Sequence, residues 1–199
     1  VAGVVVLMPF DGAVMRAVRS VSVSGDLRRE LSAWQQYGAM TSLIVVALLI
    51  ALLDPGRARR LLDLGAAAAL TGLAVLALKM GAGRPRPRPE LDDPHSFVGP
   101  LGEYPITMGD GSVRLAHSWD LSTGRAVELW SMPSSHTAYA VALSVFLTMM
   151  YPRIRLVAVA LAVLVGASRV LFQAHWPTDV IAGAGIAFTI ARPAVDRMW

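Results

Sequence analysis

The chain contains no cysteine and a single lysine, and only 16% of its 199 residues are charged. The lack of cysteine excludes disulfides and thiolate metal sites. Soluble domains usually carry about 25% charged residues, so this chain is depleted of charge in the manner of membrane proteins. It also lacks a serine- or glycine-rich linker, a low-complexity tract and an internal repeat. The sequence therefore predicts one domain over residues 1–199.

Five apolar stretches stand out in the sequence. They run over residues 34–53, 61–78, 137–151, 156–172 and 180–191. Each is apolar around the whole helix rather than along one stripe, which favours a lipid surrounding over a soluble core. A helix needs about 17–25 residues to cross the hydrocarbon core, and the last three stretches reach that length only with their polar ends. The prediction is an all-α, polytopic membrane helix bundle.

The chain begins with a short apolar segment, Val1–Met8, that is too short to span a membrane. We interpret it as the end of a truncated first helix, which brings the expected total to six transmembrane helices. A cleaved signal peptide is less favoured, because no polar cleavage region follows. Charges of both signs between Asp11 and Arg29 predict a short helix at the membrane interface.

Arginines in short loops predict the orientation of the bundle. They cluster in residues 54–60, in residues 151–155 and after residue 191, all on one side. Positive loops mark the cytoplasmic side, so the long segment Met80–Met132 faces outward. Four arginines before the first span oppose this orientation, but neighbouring acidic residues nearly balance them. The predicted location is a bacterial cytoplasmic (inner) membrane, with Met80–Met132 on the periplasmic side.

The outward segment Met80–Met132 holds seven of the fourteen acidic residues. It is rich in Gly, Pro and Asp, as in Glu90–Pro94 and Met108–Gly111. This composition predicts an ordered extracytoplasmic loop that acts as a lid, without strands. Its carboxylates lack the spacing of metal ligands, so no metal is expected there.

Three polar clusters fall at the predicted outer face. The first, Lys79–Pro87, follows the second apolar stretch, and the second, Pro133–His136, precedes the third. The third cluster, Ser168–Asp179, bridges the fourth and fifth stretches. Ionisable residues at membrane depth are costly and indicate function by default. A single alternating topology places all three clusters together.

The chemistry of these clusters suits a phosphate group. Lys79, Arg86 and Arg169 supply three positive charges, and arginine forks match phosphate oxygens bidentately. The amides of Ser134 and Ser135 lie at a helix start, where free N–H groups bind anions. By itself, the lysine has a simpler explanation as an anchor that reaches to the membrane interface.

Two histidines add a nucleophile and an acid. His175 and Asp179 are spaced i, i+4, which predicts that the carboxylate lies under the imidazole and holds its tautomer. The other ring nitrogen is then free to attack. His136, at the opposite helix start, is placed to protonate a leaving oxygen. Either histidine alone is more often a satisfied polar residue than a catalyst, so only the combination carries the prediction.

The three clusters resemble the signature of the type 2 phosphatidic acid phosphatase (PAP2) superfamily. They read Lys79-x6-Arg86-Pro87, Pro133-Ser-Ser-His136 and Ser168-Arg169-x5-His175-x3-Asp179. The second departs slightly, because the family commonly has glycine where this chain has Ser135. The resemblance implies a six-helix membrane fold, no metal or other cofactor, and a phosphohistidine intermediate. It makes His175 the nucleophile, Asp179 its partner and His136 the acid. The residues it assigns to the phosphate are Lys79, Arg86, Ser134, Ser135 and Arg169.

The implied activity is metal-independent hydrolysis of a lipid phosphate monoester or pyrophosphate at the outer membrane face. The sequence does not choose among phosphatidate, phosphatidylglycerophosphate, a polyprenyl pyrophosphate and a lipid A-type phosphate. Membrane lipids are the other expected partner. Nucleic acid is not expected, because the basic residues lie mainly between apolar runs. Arg84 and Arg88 are not motif positions, and we expect them to contact the headgroup.

Other classes of function fit the sequence less well. The vanadium haloperoxidases resemble this superfamily but are generally soluble, which five apolar stretches argue against. A membrane transporter or a flippase of a phosphorylated lipid predicts charges deep in several spans, whereas only Asp63 interrupts one. A purely structural membrane protein leaves the three clusters unexplained. A soluble phosphorylated substrate is the remaining alternative, but a site at the membrane boundary favours a laterally diffusing lipid.

Overall fold

A computed structural model describes residues 2–87, 95–107, 112–120 and 126–196. In chain order its elements are α1 (Ala2–Leu7), α2 (Asp11–Arg19), α3 (Gly25–Trp34), α4 (Met40–Leu53), α5 (Leu61–Ala82), β1 (Tyr104–Thr107), β2 (Val113–Ala116), α6 (Ser135–Met150), α7 (Arg155–Leu171) and α8 (Pro177–Asp196). Short 3₁₀ turns link several of these helices.

Helix α6 is the centre of the bundle and packs against α5, α7 and α8. Its alanines, such as Ala138 and Ala142, are fully buried and let the neighbouring helices approach closely. Leu143 and Phe146 fill the remaining space and are also fully buried. The outer faces of α4, α5 and α7 expose leucine and valine instead. This inside-to-outside arrangement suits a protein surrounded by lipid.

Three segments are long and apolar enough to cross a membrane: Pro55–Ala82, Pro152–Leu171 and Pro177–Asp196. A fourth candidate is the pair Gly25–Gly38 and Met40–Leu53, which is bent by 64°. Helix α6 has 16 residues and falls just below the usual spanning length of about 17. The prediction of an all-α membrane bundle is confirmed, with three or four candidate spans in the described part of the chain. The count of six remains a prediction.

The first predicted apolar stretch, residues 34–53, is not one straight helix. Helix α3 ends at Trp34, a 3₁₀ turn covers Gln35–Gly38, and α4 begins at Met40. The turn seats Gly38 against the start of α6, where an added Cβ would lie 2.2 Å from the His136 carbonyl oxygen. The bend therefore depends on a contact about a hundred residues away, which hydropathy does not report.

The predicted interfacial helix between Asp11 and Arg29 is also divided. Helices α2 and α3 replace it, with a break over residues 20–24. Gly25 at the start of α3 has a φ of +57°, in the left-handed region that glycine adopts without strain.

The segment 80–132, predicted to face outward, contains a short hairpin, so the expectation of a segment without strands is wrong. Strands β1 and β2 pair antiparallel, with Tyr104 opposite Ala116. Ile106 of β1 and Ala116 of β2 form a small buried cluster with Leu129. Each strand has four residues, too few to give a clear alternating pattern in the sequence. The Glu90–Pro94 and Met108–Gly111 stretches lie outside the described residues.

Candidate active site

The first cluster is positioned by the end of α5. Gly83 terminates the helix with a φ of +56°, and its amide donates to the Lys79 carbonyl oxygen at 3.0 Å. Beyond it the chain runs beside residues 128–131. The Arg86 amide donates to the Glu128 carbonyl oxygen, and the Ser131 amide donates to the Arg84 carbonyl oxygen, each at 3.0 Å. This pairing joins the first cluster to the segment that leads directly into the second.

The second cluster is joined to the third through Ser134, which occupies the N-cap position of α6. Its amide donates to the Asp179 carbonyl oxygen at 3.0 Å. Gly183 of α8 lies so close that an added Cβ would be 2.5 Å from the Ser134 carbonyl oxygen. The buried Ser134 amide, predicted to bind phosphate, thus already has an acceptor within the protein. Ser135 and His136, in the first turn of α6, are partly exposed, and their amides have no acceptor within the helix.

The nucleophile candidate, His175, is buried in the connection between α7 and α8. Its Nδ1–H donates to the Ser131 carbonyl oxygen at 2.6 Å, so the lone pair is on Nε2. The Asp179 carboxylate is 3.8 Å from Nδ1, beyond hydrogen-bond distance. The predicted direct control of the tautomer by Asp179 is therefore replaced by the Ser131 carbonyl. The i, i+4 argument fails because His175 lies before the start of α8 and does not follow helical geometry.

Asp179 organises the groups around the imidazole instead. Its carboxylate accepts from the Ser131 hydroxyl at 2.5 Å and from the Trp176 amide at 2.8 Å. The second bond runs from the third helical residue back to the cap position, as in a capping box. On its other oxygen, the carboxylate accepts from the Arg84 guanidinium at 2.6 Å. Asp179 thus positions Ser131 through its hydroxyl, and the Ser131 carbonyl oxygen sets the orientation and tautomer of the His175 ring.

The charge state of His175 follows from its surroundings. Burial lowers the pKa of His175 to about 3, and the positive charges of Lys79 and Arg86 lower it further, against the opposing effect of Asp179. The imidazole is therefore neutral at pH 7, and Nε2 is available as a nucleophile.

Three cations from different helices or loops lie near the two histidines, and two of them, Lys79 and Arg86, act on His175. The Lys79 ammonium is 5% exposed and donates to the Trp130 carbonyl oxygen at 2.5 Å. Arg86 and Arg169 are half-buried and lie close enough for their charges to act on one another and on Lys79. The same three charges act on the His136 ring. Arg84, a fourth cation nearby, engages Asp179.

The arginines of this site are oriented by acceptors within the protein. Arg86 donates to the carbonyl oxygens of Val127 and Ala174, each at 2.9 Å. Arg169 donates from one terminal nitrogen to the Gln35 amide oxygen at 2.6 Å. The 3₁₀ turn that bends the chain before α4 thus also supports Arg169, a predicted phosphate ligand.

Two residues behind the site were missed by sequence reasoning. Arg84 is fully buried and donates to Asp179, to the Thr178 hydroxyl at 2.9 Å and to the Asp11 carboxylate at 2.7 Å. The predicted headgroup contact of Arg84 is therefore wrong, and Arg88 lies outside the described residues. Asp11 also accepts from the Thr178 amide at 3.0 Å, which caps the start of α8 from the N-terminal end of the chain. No local pattern signals a contact across 73 residues.

The contacts described above bring the three clusters together at the end of the bundle where α5 and α7 finish and α6 and α8 begin. Apolar helices that hold a buried, neutral histidine beside Lys79 and Arg86 define a membrane phosphatase. The profile of the PAP2 superfamily matches residues 60–199, a range that includes every predicted site residue, and the chain belongs to this superfamily.

Two solved structures share the fold. LpxE from Aquifex aeolicus is 19% identical with a TM-score of 0.65, and the match covers 92% of this chain and 93% of that chain. The transmembrane PAP2-type phosphatidylglycerolphosphate phosphatase from Bacillus subtilis is 18% identical with a TM-score of 0.57, and the match covers 98% and 88%. Comparison with curated proteins finds no significant match.

Proposed function

We propose that this protein hydrolyses a lipid phosphate monoester or pyrophosphate at the outer face of a bacterial cytoplasmic membrane, through a phosphohistidine intermediate. The observation that carries the proposal is the state of His175: buried, neutral, bonded at Nδ1 to the Ser131 carbonyl oxygen and subject to the positive charges of Lys79 and Arg86. A neutral imidazole next to a concentrated positive charge is suited to attack a bound phosphate dianion.

The chemistry runs in two steps. The first step needs a protonated His136, a form that burial and the charges of Arg169, Arg86 and Lys79 disfavour and that the negative charge of a bound phosphate favours. Nε2 of His175 then attacks phosphorus, an N–P bond forms and the bond to the leaving oxygen breaks, while His136 gives that oxygen a proton. The ring becomes positive, and the Asp179 carboxylate 3.8 Å away stabilises this charge. In the second step His136 takes a proton from water, and the water oxygen displaces the imidazole from phosphorus. Lys79 and Arg169 stabilise the charge on the phosphoryl oxygens in both steps.

The substrate class is tested with purified protein in detergent. The panel is phosphatidate, phosphatidylglycerophosphate, a polyprenyl pyrophosphate, a lipid A-type phosphate and a soluble sugar phosphate. Release of inorganic phosphate from at least one lipid is expected, because the pocket lies at the end of an apolar bundle. Hydrolysis of the sugar phosphate alone would overturn the lipid assignment and leave the phosphatase assignment intact.

The same reaction is expected to proceed in EDTA and to be inhibited by vanadate. Lys79, Arg86 and Arg169 already supply the charge that a metal would otherwise provide, and the Asp11 and Asp179 carboxylates are held by Arg84. Vanadate adopts the trigonal-bipyramidal shape of a phosphoryl group in transfer and should occupy the pocket. Loss of activity on chelation that magnesium restores would contradict the mechanism.

The outward orientation predicts a labelling pattern in intact cells. A cysteine at Leu101, which is 82% exposed, should react with an impermeant thiol reagent, whereas one at Gly56 should not. Leu101 is preferred to Gly102, where an added Cβ would lie 2.2 Å from the Val98 carbonyl oxygen. The chain has no cysteine of its own, so any label on it reports the introduced cysteine. Labelling at Gly56 but not at Leu101 would place the active site in the cytoplasm.

A conservative charge swap tests the role of Lys79. Lys79→Arg should lower kcat/KM by about tenfold or more. The guanidinium is larger than the ammonium and overpacks a buried site, and its planar group cannot make the contacts of a compact ammonium. Lys79→Met, which removes the charge, should be at least as impaired. Activity of Lys79→Arg close to that of the parent would mean that the lysine is only an interfacial anchor.

A further inference from the structure

Arg169, a predicted phosphate ligand in the last turn of α7, is held by an acceptor that carries no charge. Its Nη1 donates to the side-chain amide of Gln35 at 2.6 Å. Because a guanidinium only donates hydrogen bonds, the Gln35 atom that faces it is the amide oxygen. Among the residues that the structure describes, no carboxylate forms an ion pair with Arg169.

The contact with Gln35 uses only one end of the Arg169 guanidinium. The Nε atom is buried and has no hydrogen-bond acceptor within the described part of the chain. A buried N–H group without an acceptor is costly, and an anion that binds at this position would remove that cost. Nε and Nη2 together form an edge that can bind two phosphate oxygens through parallel hydrogen bonds. Gln35 therefore orients Arg169 without occupying that edge.

Other arginines of the bundle are held by carboxylates instead. Arg84 lies between two buried carboxylates, and Arg60, at the opposite end of α5, pairs with Asp63 at 2.9 Å. A carboxylate holds a guanidinium more strongly than an amide does, but it also neutralises the positive charge. The amide of Gln35 orients Arg169 and leaves its charge in place.

The 3₁₀ turn that carries Gln35 is fixed against α6. The Tyr37 hydroxyl forms a hydrogen bond with the Ser144 hydroxyl at 3.0 Å. Gly38 lies against the His136 carbonyl oxygen, so closely that an added Cβ would be 2.2 Å from it. A guanidinium can be aimed only as accurately as its acceptor is held, so this fixed turn suits a positioning role for Gln35.

We propose that Gln35 is a positioning residue for phosphate binding, which aims the Arg169 fork at the phosphate and, because it is neutral, leaves the charge of Arg169 to the phosphate. The inference rests on the proposed function. It also gives a role to a polar residue inside the predicted apolar stretch 34–53, where a polar side chain is costly.

The test compares Gln35→Glu, which keeps the hydrogen bond but adds a negative charge, with Gln35→Met, which has a similar length but no amide oxygen. The readouts are KM and kcat for p-nitrophenyl phosphate and the inhibition constant of vanadate, measured in detergent on variants shown to be folded. Gln35→Glu should raise KM and the vanadate constant about tenfold, with a smaller change in kcat, because a like charge weakens anion binding. Gln35→Met should raise both about threefold, since only the orientation of Arg169 is lost.

Gln36→Glu is the matched control. Gln36 lies in the same turn, is exposed, and donates from its side chain to the Ser32 carbonyl oxygen at 3.4 Å. The same added charge, one residue along the chain, should change KM and the vanadate constant less than about twofold because solvent screens it.

The order of the variants distinguishes positioning for phosphate from a purely structural role. A structural role predicts that Gln35→Glu, which keeps the hydrogen bond, is less affected than Gln35→Met, and that order would overturn the proposal. Equal rises in Gln35→Glu and Gln36→Glu would indicate a general charge effect and also overturn it. If Gln35→Glu does not fold, parental constants in Gln35→Met overturn it. All three results leave the proposed function standing, whereas a parent protein that hydrolyses no phosphate ester overturns the proposed function itself.

Discussion

The His175→Ala variant is expected to lose turnover of every phosphorylated substrate. The attack on phosphorus requires the Nε2 lone pair whatever group leaves, and burial together with the Ser131 carbonyl fixes that nitrogen in its neutral, unprotonated form. An alanine removes the nucleophile and also leaves the Ser131 carbonyl oxygen without its partner. No residual activity above background is expected on either an alkyl or an activated aryl ester.

The His136→Ala variant is expected to lose activity on some substrates and not on others, according to the leaving group. General acid catalysis typically contributes about 10²–10⁴-fold, and the contribution shrinks when the leaving group needs no proton. The variant should therefore be severely impaired on a lipid phosphomonoester, whose alkoxide leaves poorly, and much less so on p-nitrophenyl phosphate. It should still accumulate phosphoenzyme from the activated ester, with a label that is acid-labile and alkali-stable, as phosphohistidine is.

The assay measures both variants on both substrates after each is shown to be folded. His117→Ala is a suitable control, because His117 lies beyond β2 and bonds to the Gly102 carbonyl oxygen, away from the three clusters. It should retain parental activity on both substrates. If His175→Ala keeps activity on the nitrophenyl ester while His136→Ala loses it, the two roles are reversed.

The largest effect on stability is expected from Arg84→Met. Arg84 is the shared partner of two buried carboxylates, Asp11 and Asp179, at 2.7 and 2.6 Å. Methionine has a similar length but leaves both carboxylates in the protein interior without their counter-charge. Removal of one partner from a buried ion pair typically costs about 3–5 kcal/mol, and here two pairs are broken at once. Folding of this variant is expected to be severely compromised.

An exposed ion pair provides the matched control. Arg29 pairs with Asp26 on α3, and the two side chains are 80% and 86% exposed. Arg29→Met should cost less than about 1 kcal/mol, because solvent screens such a pair. Denaturation of the purified variants in mixed detergent micelles gives the free energies of unfolding. Equal free energies of unfolding for Arg84→Met and Arg29→Met would show that the buried ion pairs of Arg84 with Asp11 and Asp179 contribute no more to stability than an exposed pair.

The Asp11→Asn variant separates stability from positioning. Asparagine keeps an oxygen for the Thr178 amide but presents no charge to Arg84. The loss of stability should be smaller than for Arg84→Met, because Asp179 keeps its arginine. The contacts of Asp11 are to Thr178 and Arg84, at the start of α8. Any change in activity should therefore arise from a shift of that helix start, which carries Asp179 and its bond to Ser131.

The sequence alone determined the class of the protein and which polar residues meet at one end of the bundle. Apolar stretches of the observed lengths require lipid, and the alternation of helices across a membrane forces the ends of α5 and α7 to meet the starts of α6 and α8. Lys79, His136, Arg169 and His175 lie at those ends, so their proximity followed from topology without any knowledge of packing. Their charges and spacing then indicated a phosphate.

Only the tertiary structure decided how the nucleophile is held. The i, i+4 spacing made Asp179 the direct partner of His175, but the ring lies outside the helix and bonds to a backbone carbonyl, a group that carries no signal in the sequence. The link from Asp11 to Arg84 and the bend at Gly38 depend on the contact of segments far apart in the chain. Such contacts follow from the packing of the whole bundle, whereas local sequence reports only hydropathy, charge and spacing.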